Sequence, residues 1–133
     1  MKVAFIADFF IEDVFGGAEL NDDVLIYGLR QKGVEIQRIR CNELTEEDIR
    51  GCEVFIISNF THLSERLKTM LKLKKYIIYE HDHKYIKTRD PSRFPHFKIP
   101  DDQIINRNFY QKAAKVVVLS GICKDIISKT LQI

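Results

Sequence analysis

The sequence predicts an α/β fold: a Rossmann-like, open and mostly parallel sheet of five strands with helices on both faces. Short apolar runs alternate with helical patterns along the 133 residues, as they do where crossover helices join parallel strands. The first run, residues 3–7, is apolar throughout, which is typical of a strand buried on both faces. Because the length is close to that of one domain, we expect a single domain over residues 1–133.

Five segments have the length and composition of strands. The second of them alternates apolar with polar residues, so we expect it nearer an edge of the sheet, and the last reads as a buried strand. The predicted strands are 3–7, 34–39, 54–57, 76–79 and 116–119.

The first predicted helix opens at a pair of glycines and ends at Gly33, a residue type that commonly stops helices. Leu20, Val24 and Gly28 recur every four residues, flanked by Leu25 and Leu29, and predict its apolar stripe. Residues 45–48 have the form of a capping box and begin a brief second helix.

A third helix is predicted from Thr61, with its lysines on a solvated outer face. Its apolar stripe is Leu63, Leu67, Met70 and Leu71. Residues 81–100 contain all three prolines and are predicted to form a loop, and long loops in compact domains are usually functional or disordered.

The last two helices complete the α/β alternation. The fourth is predicted over residues 101–112, with Ile105 and Phe109 facing the core. The fifth is predicted over residues 122–131, with Ser120 as its N-cap.

Charge is distributed unevenly along the chain. The formal net charge of +2 is too small to indicate a nucleic-acid-binding protein by itself. However, residues 1–33 carry a net charge of −3, whereas residues 62–75 and 84–98 carry +4 each. The basic residues of 84–98 are interleaved with aromatic ones, which leaves three interpretations: a surface for single-stranded nucleic acid, a site for an anionic small molecule, or a solvated loop with its aromatics against the domain.

The cysteines and the apolar segments predict a cytoplasmic protein. The three cysteines lie far apart, with no CxxC pair, which favours reduced thiols. The start of the chain has too short an apolar run for a signal peptide, and no stretch approaches the ~18 apolar residues of a membrane span.

Two glycines follow the first strand at the predicted start of the first helix. Gly16 and Gly17 would let a ligand approach the backbone, and the helix N-terminus favours an anion such as a diphosphate. A simple turn from loop to helix explains the pair equally. The glycine spacing matches neither the dinucleotide-binding fingerprint nor a P-loop.

Titratable residues follow the fourth predicted strand. His81 comes directly after the strand, a position suited to a general acid or base or to a hydrogen bond with substrate. His81 and His83, with His96 or Asp82, could ligate a metal, but no recognisable ligand set is complete, and we expect none. Histidines that satisfy backbone groups at a polar strand end are the remaining interpretation.

Three segments together resemble a known family. They are Lys2 to Asp8 with Phe15-Gly16-Gly17-Ala18-Glu19-Leu20, then Tyr76-Ile77-Ile78-Tyr79-Glu80-His81-Asp82, and Ala113 to Ser120. In this order they resemble glycosyltransferase family 4 and its GT-B relatives, and they span nearly the whole chain.

The resemblance implies transfer of a sugar from a nucleotide-sugar donor to an acceptor, with retention and without metal or other cofactor. The chain would be the N-terminal, acceptor-side domain of a two-domain enzyme. A C-terminal domain or a partner chain would supply the donor site. Gly16 and Gly17 would approach the donor diphosphate, and His81 would be the catalytic residue beside the transferred sugar. Acceptor or cleft contacts would come from Phe15, Asp82, His83, Lys84 and Arg89.

The alternative is a stand-alone, non-catalytic α/β binding or regulatory module that engages an anionic or nucleic-acid partner through residues 84–98, although we expect nucleic acid to be the weaker case. A phosphorelay receiver is excluded by its residues. It needs an acidic pair, an Asp and a Lys where this chain has a lone Asp8, Ser58-Asn59 and Ser120.

Overall fold

Five strands form one parallel sheet in the structure, a computed structural model that describes all 133 residues. The strand order is β2-β1-β3-β4-β5, and every neighbouring pair is parallel. The predicted fold class is confirmed. The strands are Lys2–Ala7 (β1), Glu35–Arg40 (β2), Val54–Ile57 (β3), Lys75–Tyr79 (β4) and Lys115–Val117 (β5).

Five α-helices connect and follow these strands. Two of them begin at the caps that the sequence predicts: Thr45 and Asp48 form a complete capping box, and Ser120 accepts a hydrogen bond from the backbone N–H of Cys123. The helices are Gly17–Gln31 (α1), Glu46–Gly51 (α2), Glu65–Leu71 (α3), Arg107–Lys112 (α4) and Gly121–Leu131 (α5).

The helices are shared unequally between the two faces of the sheet. The crossover from β1 to β2 runs in one direction and all later crossovers run in the other, so right-handed connections place α1 opposite α2, α3 and α4. The apolar residues of α5 join the core on the side of α2 to α4, a cluster of 22 buried residues. Only α1 covers the other face, over a cluster of six.

An aromatic cluster joins α4 to the sheet. The rings of Tyr76 and Phe109 stack with centroids 4.9 Å apart, and the Tyr76 hydroxyl donates a 2.5 Å hydrogen bond to the Phe109 carbonyl. Phe60 packs edge-on against Phe109, and the Tyr110 ring packs at a tilt against Phe60. All four side chains are buried, so the short helix α4 is held by tertiary contacts rather than by its own six residues.

The predicted apolar stripe of α1 is correct for Leu25 and Leu29 and wrong for Leu20 and Val24. Ile26 is buried and Leu29 packs beside it, whereas Leu20 and Val24 are 44% and 64% exposed. Because α1 lies alone on its face of the sheet, no neighbouring helix covers the side of α1 that carries Leu20 and Val24.

The third and fourth helices begin later than predicted. Thr61 is not helical, because its backbone N–H donates to the Asp8 side chain at the end of β1. The helix α3 begins after Ser64, whose hydroxyl accepts a hydrogen bond from Leu67 N–H. Residues 101–106 are not helical beyond one 3₁₀ turn, because Ile104 forms an antiparallel bridge and Asn106 has a left-handed φ of 58°. Ile105, predicted to face the core, is 38% exposed.

β5 is an edge strand and not the buried strand that was predicted. Val117 is 42% exposed, and Leu119, just beyond the strand, is 55% exposed. Both point to the face of α1, whose apolar cluster extends across the sheet only as far as Tyr79 of β4. None of the helices is long and apolar enough to cross a membrane.

The Tyr76 hydroxyl gives a direct test of how α4 is held. We expect Tyr76→Phe to lower the free energy of unfolding by about 1–3 kcal/mol, because it leaves the Phe109 carbonyl buried without a donor. Tyr27→Phe on the exposed side of α1 is the matched control and should change it by less than about 0.5 kcal/mol. Urea unfolding followed by circular dichroism measures both, and equal stabilities would contradict the role of this hydrogen bond.

Candidate functional site

The strand order reverses between β1 and β3, and in open α/β sheets the crevice at such a point binds ligands. Asp8 follows β1 at this crevice and its side chain is 5% exposed. One carboxylate oxygen accepts from Thr61 N–H and Oγ1 at 2.9 and 2.6 Å, and the other accepts from His62 N–H at 2.8 Å. Asp8 therefore holds the loop that follows β3 against the end of β1.

The charge of Asp8 depends on these three donors. Burial alone would raise the pKa of the carboxyl, but the hydrogen bonds from Thr61 and His62 outweigh it and lower the pKa below its ordinary value. The group is ionised at neutral pH. In the sequence Asp8 is an acid without a neighbouring partner, because Thr61 and His62 lie more than fifty residues away.

His81 and α1 meet on the other side of the sheet. His81 Nε2 lies 2.7 Å from Asp22 Oδ1, and the two side chains are 5% and 2% exposed. The Tyr79 ring packs against the imidazole with centroids 4.5 Å apart. Because the Asp22 carboxylate can only accept, Nε2 carries the proton of this bond. The carboxylate fixes the orientation of the ring, as in the base and orienting-acid pairs of many enzymes.

Two buried polar atoms at this edge have no hydrogen-bond partner: His81 Nδ1 and Ser58 Oγ. Side chains alternate along strands, so Ser58, Tyr79 and His81 share the face that carries α1. A cavity of about 30 Å³ adjoins His81, about the volume of one water molecule. Unsatisfied buried groups are uncommon in folded proteins and often mark functional positions.

Gly16 and Gly17 lie at the start of α1 as predicted, with Gly16 as an extended N-cap. A Cβ on Gly17 would meet nothing within 4 Å, whereas one on Gly16 would lie 2.4 Å from Glu19 Oε1. The backbone at Gly17 is therefore open to a ligand, and the Glu19 side chain folds back over the N-cap. Asp22 lies on the same helix as Gly17 and contacts His81. No motif in the sequence indicates this role for Asp22.

Three of the predicted cleft residues, Asp82, Lys84 and Arg89, lie close together in the loop that follows β4. Asp82 lies 3.4 Å from Lys84 and 3.6 Å from Arg89. Lys84 is buried and also contacts the carboxylate of Glu80, which in turn accepts from the Tyr110 hydroxyl. This cluster lies toward the face of α2 to α4, and two of its members, Glu80 and Asp82, also line the small cavity beside His81.

Burial governs the pKa values in this cluster. It raises the pKa of Asp82, which the charge of Arg89 partly offsets. Burial, followed by the nearby charge of Arg89, lowers the pKa of Lys84, and the charges of Asp8 and Asp22 partly offset this effect.

The other predicted contacts lie elsewhere. His83 Nδ1 lies 2.8 Å from the Tyr85 hydroxyl, and burial lowers the pKa of this imidazole. Phe15, before α1, is 82% exposed. No group of three or more His, Cys, Asp or Glu side chains is placed to hold a metal ion.

A cleft of about 610 Å³ opens between α3, the start of α4 and the loop after β4. We call it the basic cleft, since five cations and one carboxylate line it. They are Lys68, Lys72, Lys84, Arg89, Arg107 and Glu65. The prediction that the α3 lysines form a solvated face is wrong for Lys68, which is 8% exposed. The four-residue spacing of Lys68 and Lys72 indicates from the sequence alone that both lysines lie on one side of the helix.

No family model, no curated protein and no solved structure matches this chain.

The Asp8 contacts predict a pH-dependent contribution to stability. A depressed folded-state pKa contributes stability that is present above the unfolded value, 3.8, and is lost as the pH falls through the folded value. We expect Asp8→Asn to lower the free energy of unfolding by about 1.5–3 kcal/mol at pH 7, and by progressively less as the pH falls below about 4.

Urea unfolding at a series of pH values measures this difference. Asp23→Asn is the control, because Asp23 is exposed on α1 and should behave as wild type. A difference between Asp8→Asn and wild type that stays constant from pH 7 to pH 3 would contradict the assignment.

Proposed function

We propose that this chain is the N-terminal, acceptor-side domain of a GT-B glycosyltransferase, whose donor-binding site comes from a C-terminal domain or a partner chain. The observation that carries the proposal is the hydrogen bond between His81 and Asp22. It joins His81, in one segment of the resemblance, to the helix that opens at Gly16-Gly17 in another, at a residue just beyond that segment and 59 residues from His81. A nucleotide sugar and an acceptor are the substrates that this proposal implies.

His81 is the proposed catalytic residue. With Nε2 bound to Asp22, Nδ1 is the ring atom left to interact with a substrate hydroxyl or a developing charge. Asp22 would act as a positioning residue that fixes the tautomer and stabilises a protonated ring. Since Nδ1 is covered, the segment after β4 must shift for substrate to reach it.

The start of α1 is the proposed site for the donor diphosphate. Backbone N–H groups at a helix N-terminus are free to bind an anion and carry partial positive charge. Gly17 leaves space for its approach. The Glu19 carboxylate, now beside Gly16, would have to move aside, because two anions cannot share the N-terminus.

The direct test is turnover of nucleotide sugars by the protein as its source makes it, together with any domain or partner that it carries. Release of nucleoside diphosphate from a panel of uridine, guanosine and adenosine diphosphate sugars reports transfer or hydrolysis. Turnover of no member of the panel would contradict the proposal. A cytoplasmic location is part of the same proposal and is tested by cell fractionation.

Removing the imidazole should abolish most of the turnover. We expect His81→Ala to lower kcat by roughly 10²–10⁴-fold, as loss of a general acid/base or of a transition-state hydrogen bond usually does. His96→Asn is the matched control, since His96 is exposed in the loop and Asn tolerates its left-handed φ of 54°.

Loss of the His81 side chain also leaves Asp22 buried without its partner, so the melting temperature is measured beside kcat. Asp22→Asn, which keeps the imidazole, separates the two effects and should shift the pH profile of kcat. An unchanged kcat in folded His81→Ala would remove His81 from the mechanism.

A side chain at Gly17 should interfere with the donor alone. We expect Gly17→Val to raise the donor KM at least about tenfold, because it fills the space where a diphosphate would approach. The fold has room for the added group, so the melting temperature should change by only a few degrees. Gly28→Ala, in open space later in α1, is the control. Equal donor KM values in the two variants would argue against a phosphate site here.

A further inference from the structure

The charges that line the basic cleft are compensated to different extents. Three of the basic side chains each contact a carboxylate that lies outside the lining. These pairs are Lys84 with Glu80, Arg89 with Asp82, and Arg107 with Asp101. The two lysines of α3 differ from these. Lys72 has no carboxylate within 4 Å. The one carboxylate that contacts Lys68 is Glu65, whose side chain is 88% exposed. Glu65 is the single carboxylate in the lining against five basic side chains, so positive charge remains inside the cleft.

Neutral amides hold both lysines in place. Lys68 Nζ donates to Asn106 Oδ1 at 3.0 Å, and Lys72 Nζ donates to Asn108 Oδ1 at 3.0 Å. Asn106 also donates from Nδ2 to the Lys84 carbonyl at 3.0 Å. Its left-handed backbone, at φ 58°, turns the chain into α4 so that it can bridge the two walls. These bonds orient the ammonium groups without cancelling their charge.

An apolar floor gives the cleft a defined end. The Phe60 and Phe109 side chains are buried, and the ammonium groups of Lys68 and Lys84 lie 5.5 and 5.2 Å from the centre of the Phe60 ring. The volume of about 610 Å³ falls within the range typical of small-molecule sites. Preset cations above a hydrophobic floor suit a ligand that joins an anionic group to a small uncharged body.

We infer that the basic cleft binds a phosphate group of a small molecule, with Lys68 and Lys72 as its principal contacts and Arg107 at the rim. This function stands whether or not the chain takes part in sugar transfer. Several cations converging on one concave site favour a phosphate, which carries more charge and more acceptor oxygens than a single carboxylate. A nucleic acid fits less well, because the aromatic rings of the cleft are buried and cannot stack on bases.

The test is a titration of the full chain with pyrophosphate, followed by isothermal calorimetry and by amide chemical shifts. We expect saturable binding that weakens with added sodium chloride. Lys72→Met should weaken it at least about tenfold, as loss of a charge-assisted hydrogen bond does. Its side chain is half-buried at the rim, so the fold should tolerate the change.

Lys124→Met, on the exposed first turn of α5, is the matched control and should bind within about twofold of wild type. Lys68→Met, which keeps most of the side-chain volume over Phe60, provides the second variant if its melting temperature shows that it folds. The inference is overturned if pyrophosphate does not bind at millimolar concentration, if Lys72→Met binds as wild type does, or if the shifted amides lie outside the cleft.

Phosphate monoesters also occur on lipids, and a second arm separates this source. Sedimentation with phosphatidic acid vesicles, but not with phosphatidylcholine vesicles, that is lost in Lys72→Met would identify a lipid headgroup as the ligand. Pyrophosphate binding without such sedimentation would identify a soluble phosphate. A single-stranded oligonucleotide that displaces pyrophosphate and binds at least tenfold more tightly would replace the inference with nucleic-acid recognition.

Discussion

Right-handed crossovers between parallel strands determine most of what is distinctive in this molecule. One crossover, from β1 to β2, runs opposite in direction to the rest, so α1 lies alone on its face. The reversal opens the crevice at the ends of β1 and β3. The crossovers from β3 to β4 and from β4 to β5 run in one direction, which places α3 beside α4. The basic cleft lies between those two helices. The same constraint leaves the β5 side of the α1 face uncovered, which is why Val117 and Leu119 are exposed.

The alternation of side chains along β4 separates two kinds of chemistry at one strand end. Glu80 points to the face of α2 to α4, where it contacts Lys84 and Tyr110. His81, its neighbour, points to the opposite face and meets Asp22 of α1. A one-residue change of register would exchange the two. The short titratable run after β4 therefore supplies one candidate site with a histidine and the other with a lysine.

Both faces contain buried charge, and the fold compensates each charge locally. Glu80 has two partners from different segments, and Asp8 has three donors from the loop after β3. Removing one partner from a buried ion pair such as Glu80 and Lys84 typically costs about 3–5 kcal/mol, because the remaining charge stays desolvated. These contacts tie the loops at the carboxyl edge, on which the candidate sites lie, to the sheet.

The sequence by itself determined the α/β alternation, the parallel sheet, the edge position of β2 and the caps at Thr45 and Ser120. These follow from local patterns: apolar runs, polar alternation and side chains that bond their own backbone within three residues. It also indicated that the glycine pair and His81 lie at the edge where such sheets bind ligands.

Only the tertiary structure decided which residues meet there. Asp22 reached His81, Asp8 reached Thr61, and Asn106 reached Lys68 across 59, 53 and 38 residues. It also delayed the start of the fourth helix to Arg107, because Ile104 pairs with Ile86 in an antiparallel bridge. Local patterns describe how a segment folds but carry no record of the distant segment that packs on it. For that reason the amphipathic face of α1 and the buried position of Lys68 could not be read from spacing alone.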